Sequence, residues 1–173
     1  DNGPMAHNPP PGLGMAETIF RGGKGDFLEG GVRVVAQAYW PGMIQPGEIP
    51  GDIIHEVDIF TTFARLAGAT KHIPTDRIID GIDQTALLLM GEGHGRRNYM
   101  THYSGGTLAA LRFEDFKVHF KPGHGGLPGM DFYNVMRDPG EKFGQLYPGL
   151  FAVTPIQIIL REHMKLIQKF PHR

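Results

Sequence analysis

Apolar residues recur with helical spacing in the middle of the chain. Within residues 53–67, Phe60, Phe63 and Ala67 follow one another at intervals of three and four, and Gly68 is placed to end a helix. The pattern predicts an amphipathic helix whose apolar stripe lies in the protein core.

A second helix is predicted close to the C-terminus. Thr154 is a suitable N-cap and Pro155 a suitable first helical residue, and an apolar stripe extends from there to Phe170, just before Pro171. This helix is expected to cover one face of a sheet.

The segment VRVVAQAYW, residues 32–40, has the β-branched and aromatic content of a strand and is apolar on both faces for most of its length. Pro41 ends it. We predict a strand buried inside a covered sheet, with Trp40 in the core.

Four later segments predict an antiparallel sheet. They are residues 99–103, 108–113, 116–120 and 132–136. In the third, apolar side chains alternate strictly with lysine and histidine, which predicts a hairpin with one dry face.

The first thirty residues are rich in glycine and proline and are expected to form a long loop. Within it, the glycines around Lys24 allow the backbone to approach a ligand, and the ammonium can serve as a point charge for an oxyanion. Asp1 and Asn2 are adjacent oxygen donors of the kind that bind hard cations. Taken alone, an ordinary turn and a solvated lysine explain these residues better.

Glu29 and Arg33 flank the Gly30-Gly31 pair. Two interpretations are open: an ion pair that braces the Lys24 loop, or an exposed pair of little energetic weight.

Composition and charge argue against several functions. The 17 basic and 18 acidic residues nearly cancel, which disfavours nucleic-acid binding. No apolar run is long enough to span a membrane. The absence of cysteine excludes disulfides and thiolate zinc sites. The nine histidines lack zinc-ligand spacing, although His102 and His124 fall where they could border a pocket.

Six segments stand in order along the first half of the chain: DNGP, FRGGKG, LEGGVRV, AYWPGMIQPG, HEVDIFTTFARLAG and DGIDQTALL. This succession resembles the sulfatase family of the alkaline phosphatase superfamily. The later segments ALRFEDFKVHF, DFYNVMRDPGEKFG and KFPHR resemble the small C-terminal subdomain of bacterial arylsulfatases.

The resemblance implies an α/β fold: the C-terminal part of a sulfatase-like layered sheet, followed by a small antiparallel sheet packed by a C-terminal helix. Residues 1–95 would be the C-terminal part of the catalytic domain, and residues 96–173 an α+β subdomain. A periplasmic or secreted location is favoured.

The resemblance also implies a site for sulfate ester hydrolysis. Asp1 and Asn2 would bind a divalent metal, Ca2+ or alternatively Mg2+, and Lys24 and Asn2 would contact the substrate. The family nucleophile, a formylglycine made from Cys or Ser in a C/S-x-P-x-R motif, has no match here, because Ser104 is the only serine and is followed by Gly105-Gly106. An N-terminal portion of the same protein is the expected partner that supplies it, and the isolated chain is expected to be inactive.

Two alternatives remain open. A phosphodiesterase or phosphonate monoester hydrolase of the same superfamily would use a metal and a lysine in a similar way. A noncatalytic binding module would apply if the chain worked alone.

Overall fold

The structure is a computed structural model, and the residues it describes are 2–3, 19–121, 129–144 and 146–170. The chain divides into two compact units: residues 1–36 with 100–157, and residues 37–99 with 158–173. Both units are discontinuous in sequence. The predicted subdomain boundary near residue 95 stays a prediction.

The first unit contains a four-stranded sheet with strand order β1-β2-β3-β4. The strands are β1 (Tyr99–Ser104), β2 (Thr107–Phe113), β3 (Phe116–Lys121) and β4 (Gly129–Asn134). Strand β3 pairs antiparallel with both β2 and β4. Phe113 faces Phe116 across a tight turn in which Glu114 has a φ of 50°. The predicted antiparallel sheet and hairpin are confirmed.

The prediction that only the apolar face of β3 is buried is wrong. Lys117 is 0% exposed and His119 is 3% exposed, so they are about as buried as Val118 at 0%. Charged side chains are buried only when partners compensate for the lost water. Here the partners are glutamates from other parts of the first unit.

The C-terminal helix α4 (Leu146–Lys169) begins eight residues before the predicted N-cap Thr154 and contains Pro155 in its interior. A proline inside a helix removes one backbone hydrogen bond. Ala152 and Ile156, on either side of the proline, are each only 2% exposed, and their burial offsets that loss. Pro171, the predicted stop, lies outside the described residues.

The second unit contains helix α2 (Asp58–Leu66), a 3-10 turn (Thr70–His72) and helix α3 (Thr85–Met90). Helix α2 is shorter than the predicted 53–67, and Gly68 follows it with a φ of 66°, as the sequence indicates. Its buried face is polar, since Asp58, Thr61 and Thr62 are buried whereas Phe60 and Phe63 are more than half exposed. The prediction that the apolar stripe lies in the core is therefore wrong.

Residues 33–40 do not form the predicted buried strand. Val32 closes a short helix, α1 (Glu29–Val32), and the following segment is irregular and exposed, with Val35 at 87% and Tyr39 at 92%. Trp40 is also exposed, at 41%. A buried strand needs neighbouring strands, and the four strands among the described residues pair only with one another.

The carboxylate of Asp58, at the start of α2, organises the second unit. It accepts hydrogen bonds from the backbone N–H of His55 at 2.9 Å and of Ile82 at 2.7 Å. The guanidinium of Arg97 binds it through two nitrogens, Nε at 2.8 Å and Nη2. Burial raises the pKa of Asp58, but the bonds from Arg97 and from the two amides outweigh burial and hold the pKa below its ordinary value.

Replacing Arg97 by methionine should destabilise the protein by about 3–5 kcal/mol, because a buried carboxylate would be left without its charged partner. Arg77→Met is the matched control, since the pair of Arg77 with Asp76 is exposed and should contribute nothing measurable. Denaturant unfolding of both variants checks the prediction. An equal effect of the two substitutions would contradict it.

Candidate functional site

A compact glycine-rich segment, residues 21–31, is called the Lys24 loop below; its last three residues are also the first three of α1. Its ends are joined by a hydrogen bond from the Gly30 N–H to the Arg21 carbonyl at 2.8 Å, and its tip by one from the Asp26 N–H to the Gly23 carbonyl at 2.9 Å. Gly22 has a φ of 85°, a conformation that residues other than glycine rarely adopt. The loop is therefore held by its own backbone.

The dipeptide Asn2-Gly3 lies directly against this loop. The Gly3 N–H donates to the Gly31 carbonyl at 2.9 Å, and a Cβ added to Gly3 would lie 1.9 Å from the Gly30 oxygen. Only glycine permits so close an approach of two backbones. Two segments of the predicted site that are separate in sequence, residues 2–3 and 21–31, are thus brought together.

Asn2 is exposed, and its side-chain Nδ2 donates to the Gly3 carbonyl at 2.8 Å. That bond helps to orient the carboxamide group. Asp1, the other predicted metal ligand, lies outside the described residues.

Lys24 lies at the tip of the loop and is exposed. Among the residues that the structure describes, no carboxylate forms an ion pair with it. An exposed ammonium is a point charge of the kind that an anion in solution can contact.

Beneath the loop lies a cluster of buried charges. Glu29, in α1, is 0% exposed and receives three cations. Its carboxylate lies 3.1 Å from Lys117 Nζ, 3.2 Å from Arg112 Nη1 and 2.7 Å from Arg33 Nε. The predicted Glu29–Arg33 pair is confirmed, but it is one edge of a larger network.

Glu141 is the second buried carboxylate of this network. Its Oε1 accepts the backbone N–H of Glu29 at 2.6 Å and lies 3.4 Å from Lys117 Nζ. Its other oxygen, Oε2, contacts His119 Nε2. The ring of Phe27, a loop residue, packs edge-on against His119 with the ring centroids 5.0 Å apart. The loop is therefore joined to the sheet by both ionic and aromatic contacts.

Both glutamates remain ionised in this environment. Burial raises the pKa of Glu29, but the charges of Lys117 and Arg112 outweigh it and leave the pKa below the ordinary value. Burial likewise raises the pKa of Glu141, whereas the His119 hydrogen bond and the Lys117 charge lower it to a net decrease. Burial, together with the nearby charge of Arg33, lowers the pKa of Arg112 despite the neighbouring glutamates.

Sequence reasoning missed most of this network. Glu141, Lys117 and Arg112 carry no motif, and their pairing joins positions 24 to 88 residues apart. The one available signal was the basic residue pattern of β3, which fits an exposed face equally well. His102 is buried in β1, and His124 lies outside the described residues.

Within the described residues there is no group of three or more side chains suited to hold a metal ion. No helix among them combines the length and apolar content that a membrane span requires.

No protein-family model matches the chain. Known proteins do match it. Rat steryl-sulfatase is 43% identical over 98 residues, covering 57% of this chain and 17% of that protein. Dog N-acetylgalactosamine-6-sulfatase is 31% identical over 186 aligned residues, covering 92% of this chain and 34% of that protein. The chain thus spans only a sixth to a third of the length of these relatives.

A solved structure extends the likeness to the fold. PsFucS1 sulfatase from Pseudoalteromonas sp. superimposes on the whole chain with a TM-score of 0.84 and 30% identity, and 37% of that protein is covered. The fold is therefore the α/β class of the sulfatases, with the small antiparallel sheet and the C-terminal helix in place. The chain belongs to the sulfatase family and corresponds to a C-terminal portion of its members.

The buried glutamates should make stability depend on acid. Their pKa values are lower in the folded than in the unfolded protein, where they lie near 4.5. Their contribution is therefore present above about pH 4.5 and is lost as the pH falls through the folded-state pKa values. In Glu29→Gln, the unfolding free energy should fall less steeply between about pH 6 and about pH 3 than in the wild type.

Glu162→Gln is the control, because Glu162 is 60% exposed and its ion pair with Lys165 lies at the surface. Chemical unfolding across the pH range measures all three proteins. Parallel curves for the wild type and Glu29→Gln would contradict the prediction, whereas Glu162→Gln should follow the wild type.

Proposed function

We propose that the protein to which this chain belongs hydrolyses sulfate esters, and that this chain supplies part of the substrate and metal site. The likeness to sulfatases over nearly the whole chain carries the proposal. The contact of Asn2-Gly3 with the Lys24 loop supports it, because it brings an oxygen ligand and a cationic side chain to the same element.

Lys24 is the residue proposed to contact the sulfate. A sulfuryl group carries negative charge on its oxygens, and that charge grows on the leaving oxygen as the ester bond breaks. An ammonium held at a fixed distance stabilises such charge better than mobile water does. The loop meets this requirement, since its backbone is fixed on both sides of an exposed lysine.

Asp1 and Asn2 are the residues proposed to hold a divalent cation, with Ca2+ favoured and Mg2+ as the alternative. Carboxylate and carboxamide oxygens are the donors that these hard cations take. Nδ2 of Asn2 donates to the Gly3 carbonyl, which orients the carboxamide, and the oxygen of a carboxamide is the atom that binds a hard cation. When bound, the cation would supply charge stabilisation to the sulfuryl oxygens.

The nucleophile is proposed to be a formylglycine outside this chain. The chain has no cysteine, and its only serine, Ser104, ends β1 and precedes the Gly105-Gly106 turn, which does not match a C/S-x-P-x-R motif. On this proposal the residues of this chain bind and orient the substrate. A periplasmic or secreted location is proposed as well.

Lys24→Ala should reduce kcat/KM for an aryl sulfate by about 10²- to 10³-fold in the full-length enzyme, as is typical when one preorganised charge donor is removed. Lys24→Arg should recover part of the loss. Lys71→Ala is the control, because Lys71 is also exposed but lies in the second unit.

The same assays run on an aryl phosphate ester distinguish the two hydrolase classes. Preference for sulfate in the wild type supports the proposal. Preference for a phosphate diester or a phosphonate ester would assign the protein to the alternative hydrolases of the superfamily. Full activity of Lys24→Ala would remove Lys24 from the site.

Removing divalent metal with a chelator should abolish the hydrolysis of the aryl sulfate, and Ca2+ should restore it. In Asn2→Ala the Ca2+ concentration for half-maximal recovery should rise by about tenfold or more. Asn98→Ala, at an exposed position, should behave as the wild type. Activity that persists in the chelator, with metal removal verified by elemental analysis, would refute the metal assignment.

A further inference from the structure

The Lys24 loop is attached to the sheet through side chains that are fully buried. Lys117 Nζ, from β3, donates to the Phe27 carbonyl at 2.7 Å and also contacts Glu29 and Glu141. The Glu141 carboxylate in turn accepts the Glu29 N–H at 2.6 Å. Both the backbone and a side chain of the loop are thus fixed to distant parts of the first unit.

These contacts lie close to the proposed substrate residue. Phe27 is three residues beyond Lys24, and the Asp26 N–H between them bonds to the Gly23 carbonyl at 2.9 Å. On the far side of Glu29, the Gly31 carbonyl accepts the Gly3 N–H. A shift at Glu29 would therefore move the Lys24 backbone and the Asn2-Gly3 dipeptide together.

A buried ion network is an expensive way to stabilise a loop. Apolar residues of similar volume often stabilise a protein as well or better, because burying charges costs much of their mutual attraction. Hydrogen bonds between charged groups are short and directional, whereas apolar contacts are not directional. They therefore hold the groups that they join in one relative position. Such a network is therefore suited to fixing a position.

We propose that Glu29, Lys117 and Glu141 are positioning residues that set the place of Lys24 and Asn2 relative to the substrate. This inference rests on the proposed function. None of the three needs to touch the substrate, and their effect is carried by the loop backbone.

Glu141→Gln tests the inference in the full-length enzyme. The amide oxygen can still accept the Glu29 N–H, but the charge that holds Lys117 and His119 is lost. Deuterium uptake at the amides of residues 21–31 should rise. The inhibition constant of inorganic sulfate should increase, and kcat/KM for an aryl sulfate should fall about 10- to 100-fold, the size expected for misplacing a binding group.

Asp58→Asn is the matched control. Asp58 is an equally buried carboxylate with an arginine partner, but it lies in the second unit. At a temperature where both variants are folded, Asp58→Asn should leave the uptake of residues 21–31 and the sulfate inhibition constant unchanged. This comparison separates positioning from a general loss of stability.

Arg33→Gln provides a second variant if Glu141→Gln does not fold. The Arg33 side chain is 40% exposed and contacts only one oxygen of Glu29 in the network. The same changes should appear at a smaller size, about two- to fivefold in the inhibition constant.

The inference is overturned if loop uptake stays at the wild-type level in the folded network variants, or if Asp58→Asn changes the sulfate inhibition constant as much as Glu141→Gln does. Deuterium uptake decides the matter even if the wild type fails to cleave aryl sulfates. In that event the proposed function fails separately, and faster exchange in Glu141→Gln would still support the network as the anchor of the loop.

Discussion

The first unit depends on one electrostatic constraint: two carboxylates with no solvent-exposed surface must be neutralised inside the protein. Glu29 and Glu141 share Lys117 between them, and each has further partners of its own. Removing any member would leave a charge in a medium that solvates it poorly. The positions of α1, β3 and the turn at residue 141 are consequently interdependent.

The second unit uses the same solution on a smaller scale. Asp58 accepts two backbone amides and a bidentate arginine, so the polar face of α2 is the buried one. Arg97 extends the hub by donating to the Asp80 carbonyl at 2.7 Å. In both units a carboxylate collects groups that are distant in sequence, and specific hydrogen bonds determine which segments meet.

The sequence predicts the elements that depend on local chemistry. Alternation of apolar and polar residues identifies the hairpin of β2 and β3, and Gly68 identifies the end of α2, because pleat and turn conformation depend on neighbouring residues. The contact between Asn2-Gly3 and the loop fits the resemblance that grouped these segments. The close approach of the two backbones requires a glycine at position 3. The spacing of residues along the sequence does not reveal this requirement.

What the sequence could not predict is which face of a strand or helix is buried. A lysine in a strand of alternating apolar and polar residues is expected to be exposed. Lys117 is buried instead, because Glu29 and Glu141 pair with it. A phenylalanine stripe on a helix is expected to lie in the core. In α2 the opposite, polar face is buried, because Asp58 on that face binds Arg97 and two backbone amides. Periodicity reports which residues share a face. It does not report which face finds a partner.

These constraints also explain how an exposed lysine can be placed accurately. A lysine side chain has several rotatable bonds, so its ammonium already varies in position, and a mobile backbone would add to that variation. Here that backbone is closed by its own hydrogen bonds, pressed against Gly3 and tied through Phe27 and Glu29 to buried charges. The contacts that anchor the proposed site therefore lie beneath the loop, and an anionic ligand that binds there would mainly have to order the Lys24 side chain.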